Sequence, residues 1–233
     1  MNATRGIEAI VFDLDGTLVD SRGDLAAAVD AVRAGLGLPP LAPGAIESMV
    51  GEGARLLVER ALGGERRKSV LDPAIDEFFR HYDRLCLATT RPYPGVERAL
   101  ATLAAQCPLA VLTNKPERFA VRIVEALGLG RYVATVVGGD SLAVRKPDPA
   151  TLRHVASSLG VEVHRILMVG DSRIDAEAAA QAGSLFVHVR WGYGRNQAAE
   201  EVGALGGLDD PERMAEQLTG LLAERRVASA GAI

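Results

Sequence analysis

Cysteine is scarce in this sequence. Cys86 and Cys107 stand alone, with neither C-x-x-C spacing nor a histidine cluster beside them. That excludes a disulfide framework and a cysteine-based zinc site, and both read as small buried hydrophobes. Long apolar runs are missing too. None approaches the roughly 20 residues of a membrane span, and Met1 to Gly6 lacks the hydrophobic stretch of a secretory leader, so a cytoplasmic protein with no membrane partner is expected. There is no basic excess: a formal net charge of −4 argues against a nucleic-acid partner and leaves small anionic substrates open. Lysine is nearly absent, since of 26 basic side chains only Lys68, Lys115 and Lys146 are not arginine. In a chain that uses arginine wherever a surface cation will serve, a lysine suggests that a compact ammonium is needed in place of a planar fork. Lys68, in ERRKS, reads as a solvated face.

What is present is a globular composition, 48% hydrophobic and 24% charged over 233 residues, enough for one large domain or a domain carrying an inserted second one. IEAIVF reads as a buried strand. After Pro94 strands and helices alternate: LAVLT, a helix from about Pro116, YVATVVG, a helix after Pro149, RILMVG, a helix through AEAAAQAG, then LFVHV. That order predicts an α/β fold with a parallel sheet covered on both faces. Between Ser21 and Thr89 the alternation breaks. DLAAAVDAVRAGLG, AIESMVGEGARLLVERALGG and SVLDPAIDEFFRHYDRLCLA place apolar residues at helical spacing with no convincing strand. A helical module over 21–89 is therefore expected inside a core formed by 1–20 and 90–233, with TTRPYPG as its return linker. RWGYGRN reads as a glycine-rich loop, DDPERMAEQLTGLLAERR as a helix with Pro211 near its first turn, and VASAGAI as a frayed end. The short ALGGL is weak for a final strand.

In an open parallel sheet, ligands bind at the carboxyl ends of the strands. Asp13 and Asp15 follow IVF, Thr113 and Asn114 follow LAVL, Asp171 follows ILMVG, and Lys146 precedes the helix after Pro149, so all are expected at one edge. Carboxylates gathered there repel unless something positive sits between them. A hard cation with oxygen ligands, Mg2+, suits Asp13, Asp15 and Asp171, and Lys146 adds a second positive point. A carboxylate beside a metal attacks phosphorus to form an aspartyl-phosphate that water then hydrolyses. Asp13 is the expected nucleophile. Asp15 is placed to protonate the leaving oxygen and then to take a proton from water, with its main-chain carbonyl free for the metal. The Thr113 hydroxyl, Asn114 and nearby N–H groups would hold phosphate oxygens together with Lys146.

DLDGTLVDS, LTNKP, VRKPDP and VGDSRIDAEAA together resemble the four motifs of the haloacid dehalogenase superfamily of phosphatases, in order and over nearly the whole chain. The resemblance implies a Rossmann-like core with a helical cap inserted after the first motif, and it implies Asp13 as nucleophile, Asp15 as acid/base, Thr113 and Lys146 as phosphate ligands and Asp171 as metal carboxylate. MVGEGARLLVERAL, RPYPGV and VVGGDSLAVRKPDP, taken with LTNKP, look like the phosphoglycolate phosphatase branch, which implies hydrolysis of 2-phosphoglycolate by a monomer or homodimer. A phosphatase or phosphoglucomutase of the same fold with another small phosphorylated substrate is the near alternative. A phospho-accepting receiver module, which also clusters Asp, Thr and Lys at strand ends, is the distant one; the inserted helices and D-x-D-G-T disfavour it. Ile174 stands where many relatives carry Asn, while the adjacent Asp175 is expected to support the metal shell or Lys146.

Other residues read more plainly. Lys115 is expected to be structural or on the surface, Asp20 and Ser21 to be cap entry and helix N-cap, the four histidines to pack or face solvent, and Trp191 and Tyr193 to cover the core. Selectivity is expected from the inserted helices. Gly51 and Gly53 can expose N–H groups, and Arg55 follows at a helix start, so a substrate carboxylate is expected to meet them there.

Overall fold

The computed structural model describes residues 6–194 and 202–230, with side chains through 225. The end of RWGYGRN, at 195–196, lies outside the described residues, as do Met1–Arg5 and 231–233. The first strand, β1 (Ala9–Phe12), is fully buried. Its alternating side chains supply both faces of the sheet. Ile10 and Phe12 join one core with Leu109, Val111, Leu167 and Val169, whereas Ala9 and Val11 join the other with Ala110, Leu112, Ile166 and Met168. Continuous apolar runs are what strands covered on both faces require.

The remaining strands are the short pair β2 (Val19–Asp20) and β3 (Arg91–Pro92), then β4 (Leu109–Leu112), β5 (Thr135–Val137), β6 (Ile166–Gly170), β7 (Leu185–Val189) and β8 (Gly207–Leu208). Six of them form a parallel sheet in the order β5-β4-β1-β6-β7-β8. The chain builds outward from β1 through β4 to β5, then returns to the other side of β1 with β6. The switch point therefore lies between β4 and β6, around the end of β1, where a ligand crevice opens. The final strand suggested weakly by ALGGL exists as the two residues of β8, paired with β7.

Helices α1 (Arg22–Gly35), α2 (Ala54–Ala61) and α3 (Lys68–Leu85) occupy the break between β2 and β3; the others are α4 (Val96–Ala104), α5 (Glu117–Ala126), α6 (Ala150–Leu159), α7 (Arg173–Ala182) and α8 (Met214–Ala230). Leu25, Ala28, Val29 and Val32 of α1 pack toward Leu71, Ala74, Phe78 and Tyr82 of α3, all at helical spacing. The stretch with helical spacing from Ala45 is divided before Arg55, where a helix start was expected. A 3-10 turn covers Ala45–Met49, and Gly51 and Gly53, at φ +117° and +91°, break the path before α2 begins. Of the tail read as frayed, the α8 backbone is helical through Ala230, and the rest lies outside the described residues.

The return linker contains β3, which pairs antiparallel with β2 and closes the root of the insertion. Asp24, in the first turn of α1, fastens it: its two carboxylate oxygens accept the N–H and hydroxyl of Thr89 at 2.8 and 2.6 Å, and those of Thr90 at 2.9 and 2.6 Å. Asp24 is 1% exposed and Thr90 is fully buried, so unpairing these donors has a full desolvation cost. Asp24→Ala is expected to lower unfolding stability by about 3 kcal/mol, read as a lower urea midpoint; a loss below about 1 kcal/mol would show that the root does not depend on this carboxylate.

Candidate active site

The site grows from the end of β1. The Asp13 N–H donates to the Val169 carbonyl at 2.9 Å, which extends the ladder by one residue and leaves the Asp13 side chain just past the sheet edge. Gly16 follows at φ +86°, and a β-carbon there would lie 2.4 Å from Oδ2 of Asp171. The glycine of D-x-D-G is thus required twice, by its left-handed backbone and by the closeness of the β6 loop.

Asp13 Oδ1 accepts from Lys146 Nζ at 2.8 Å, and the same ammonium reaches Asp175 Oδ1 at 2.6 Å. Asp175 is fixed in turn by a capping box at the start of α7, where its Oδ2 accepts the N–H and hydroxyl of Ser172 at 3.1 and 2.6 Å. Asp171 ends β6, and its Oδ2 accepts the N–H groups of Tyr193 at 2.7 Å and Gly194 at 3.1 Å. These bonds fall on Oδ1 of Asp13 and Oδ2 of Asp171, so the other oxygen of each carries none of them.

Oxygens of Asp13, Asp171 and Asp175 lie within 4.8 Å of one another, all three residues being buried. Burial pushes the Asp13 carboxyl up to about 6, against the pull of Lys146 and with the help of Asp175 and Asp15. Asp171 is pushed well above its ordinary range, first by burial and then by Asp13 and Asp175. Burial alone would lower Lys146, but Asp13 and Asp175 more than offset it and hold the ammonium charged. Three carboxylates against one ammonium leave an uncompensated negative cluster made of hard oxygen donors, and that donor set fits Mg2+.

Asp15 turns the other way. Its oxygens accept from Lys115 Nζ at 2.9 and 2.8 Å, and Oδ1 also accepts the Ser21 hydroxyl at 2.5 Å. Thr113, just past β4, donates its N–H to Val137 at 3.0 Å, and its hydroxyl oxygen accepts the Lys115 N–H at 3.2 Å. The Asn114 amide donates to the carbonyls of Gly51 and Lys146, both at 2.9 Å, tying the insertion to the lysine loop. A cavity lies between α2, α3 and the strand ends, with Asp13, Asp15 and Lys115 on one side and Leu25, Phe78 and Tyr82 on the other.

Asp13, Asp15, Thr113, Asn114, Lys146, Asp171 and Asp175 thus come together at one edge, and Gly51 and Gly53 line the cavity. Arg55 does not join them. It is half exposed and donates to Asp72 of α3 at 2.9 Å, outside that cavity, because the second position of α2 faces α3 and solvent. One sequence reading needs correction, and two residue groups gain a further role. Lys115 is 7% exposed and bonded to Asp15, so it is not a surface residue; the rarity of lysine was the signal for it. Ser21 occupies the N-cap position of α1, but its side chain makes no cap bond and donates to Asp15 instead. Trp191 and Tyr193 are buried, Trp191 within the core, and their loop also supplies N–H donors to Asp171; a β-carbon at Gly192 or Gly194 would come within 2.3 or 2.1 Å of Asp171 atoms, which explains the W-G-Y-G spacing. His188 packs behind the site, its Nε2 3.1 Å from the Asp171 carbonyl. Ile174 lines a separate groove with Arg145 and Glu177.

A buried aspartate at the switch point of a Rossmann-like sheet, bonded to a lysine that a second aspartate also holds, with helices inserted after the first strand, sets the chain among the α/β hydrolases. The chain belongs to the haloacid dehalogenase-like hydrolases, whose family pattern matches residues 7–183. It is 44% identical over 200 residues to the phosphoglycolate phosphatase of Neisseria meningitidis serogroup A, covering 83% of this chain and 85% of that one. To the phosphoglycolate phosphatase of Rhodospirillum rubrum it is 46% identical over 211 residues, 87% of each chain. The crystal structure of a predicted phosphoglycolate phosphatase from Haemophilus somnus superposes with a TM-score of 0.84 at 31% identity, over 91% of this chain and 98% of that one. No helix among the described residues is long and apolar enough to cross a membrane.

Proposed function

We propose that this chain is a Mg2+-dependent phosphomonoesterase that hydrolyses 2-phosphoglycolate to glycolate and phosphate through an aspartyl-phosphate on Asp13, with 21–89 acting as a cap over a core of 1–20 and 90–233. The observation that carries this reading is the buried Asp13 carboxylate, with one oxygen on Lys146 and the other outside that bond, facing a cavity that Thr113 and Asp15 also line. The substrate assignment draws on the relatives.

Asp13 attacks phosphorus, and the bond from phosphorus to the glycolate oxygen breaks. Asp15 gives that oxygen its proton, then takes one from the water that attacks the aspartyl-phosphate, returning Asp13 as carboxylate and releasing phosphate. Ser21 and Lys115 fix the orientation of Asp15, and Thr113 and Lys146 hold phosphoryl oxygens. Asp13, Asp171 and the Asp15 carbonyl would hold the metal, with Asp175 keeping Lys146 in place; when bound, Mg2+ neutralises charge on the phosphoryl group. The inserted helices exclude water from the cavity.

Ranking kcat/KM across phosphorylated metabolites tests the reading. Sustained turnover with 2-phosphoglycolate at the top is expected. A different metabolite ahead of it by tenfold or more, or isomerisation of a sugar phosphate in place of phosphate release, would overturn it.

A further inference from the structure

With Arg55 committed to Asp72, no element of the proposed chemistry yet accounts for the second anionic group of a phosphorylated acid. Among the described residues lining the cavity, Lys115 carries the positive charge. Its side chain is 4% exposed. Nζ lies 4.8 Å from the centre of the Tyr82 ring, its main-chain N–H is anchored on Thr113, and its carbonyl accepts the Gly139 N–H at 2.8 Å. The comparison with Lys146 is informative. That ammonium is held between carboxylates of two different residues, Asp13 and Asp175; Lys115 has one carboxylate partner, Asp15, and an aromatic face.

Tyr82 points the same way. Its hydroxyl lies within reach of the Lys115 ammonium and has no other hydrogen-bond partner among the described residues; the residue is 1% exposed and lines the same cavity. A buried hydroxyl that accepts from a cation still has its own proton to donate, and an anion would supply that missing acceptor. Around it the wall is apolar, with Leu25, Leu57, Phe78 and Phe79, so an anion entering there finds one cation and one neutral donor.

We propose that Lys115 and Tyr82 form the subsite for the substrate's carboxylate, with Lys115 shared between that carboxylate and Asp15. The proposal rests on the reading of 2-phosphoglycolate as substrate. It moves selectivity from the inserted glycine-rich loop to the strand-end motif and to α3. A lysine suits this role better than arginine, because an ammonium directs three donors at partners that are not coplanar.

The test uses the full chain with Mg2+, two substrates and two inert ligands. Turnover of 2-phosphoglycolate is compared with that of ethyl phosphate, which lacks the carboxylate. Calorimetry compares 3-phosphonopropionate, in which a methylene replaces the bridging oxygen, with ethylphosphonate. In Lys115→Met, which keeps side-chain length and removes the charge, the preference for the carboxylated member is expected to fall by about 100-fold in KM and in binding. Tyr82→Phe deletes one oxygen and is expected to reduce the same preference by roughly tenfold, with kcat for 2-phosphoglycolate changed far less than KM. It carries the test alone if Lys115→Met does not fold. Equal losses on both members of each pair would show that Lys115 and Tyr82 serve only Asp15 and the fold, and would overturn the subsite while wild-type turnover of 2-phosphoglycolate leaves the proposed activity standing. Absence of that turnover in the wild type would instead overturn the substrate reading.

Discussion

Asp13→Asn is expected to fold and to lose turnover by roughly 10⁴-fold or more. The amide matches the carboxylate in size, and the position is 7% exposed, so packing survives; what disappears is the nucleophilic oxygen. The same substitution has a signature in pH. Burial raises the Asp13 carboxyl from 3.8 to about 6 in the fold, which means that the folded state binds its proton more tightly than the unfolded chain does. The contribution to stability is therefore fully present below about 4 and is lost as pH rises through 6. It amounts to about 3 kcal/mol at most for the metal-free protein. Comparing urea unfolding of wild type and Asp13→Asn between pH 4 and 7 should show the wild type losing stability relative to the variant across that window. Parallel curves would remove Asp13 from the strained charge cluster, and wild-type activity in the variant would remove it as nucleophile.

Metal removal is the second large effect. EDTA should stop turnover, and Mg2+ should restore it. The informative variant is Asp171→Asn. Asn Oδ1 can still accept the N–H groups of Tyr193 and Gly194 that bind Asp171 Oδ2, so the loop after β7 is retained. The variant lacks one of three buried carboxyl groups whose oxygens lie within 4.8 Å of each other. Relief of that repulsion is expected to stabilise the metal-free protein by about 1–2 kcal/mol, a rise of roughly 2–8 °C in Tm. The same change should weaken Mg2+ binding by at least tenfold, so that the rise in Tm that Mg2+ gives the wild type largely disappears. A variant less stable than wild type without metal, with an unchanged response to Mg2+, would contradict the assignment of Asp171 as a ligand.

Much of this site was legible along the chain because strand ends in a parallel sheet converge whatever the helices do between them. Asp13, Thr113 and Asp171 each follow a buried apolar run, and those runs became β1, β4 and β6. Residues whose roles depend on side-chain direction were not legible in the same way. Lys115 and Lys146 are both lysines in loops near the sheet edge, yet which carboxylate each would reach depends on contacts 100 and 133 residues apart. Arg55 faces Asp72 only because α2 and α3 pack against each other, and helical periodicity within α2 says nothing about its neighbour's surface. The β2–β3 pair was hidden for a different reason. Two residues per strand give no alternation to detect, and the pairing exists because Asp24 draws Thr89 and Thr90 to the start of α1.

The central claim is that a covalent phosphoryl group resides on Asp13 during turnover. It is tested most directly by acid-quenching the protein while it turns over 2-phosphoglycolate with Mg2+, reducing with borohydride, and sequencing the peptides by mass spectrometry. An acyl phosphate is reduced to the alcohol, so position 13 should carry homoserine. Asp15, Asp171 and Asp175 should remain aspartate. Reduction at any of those three, or unmodified Asp13 in a sample quenched during sustained phosphate release, would contradict the account.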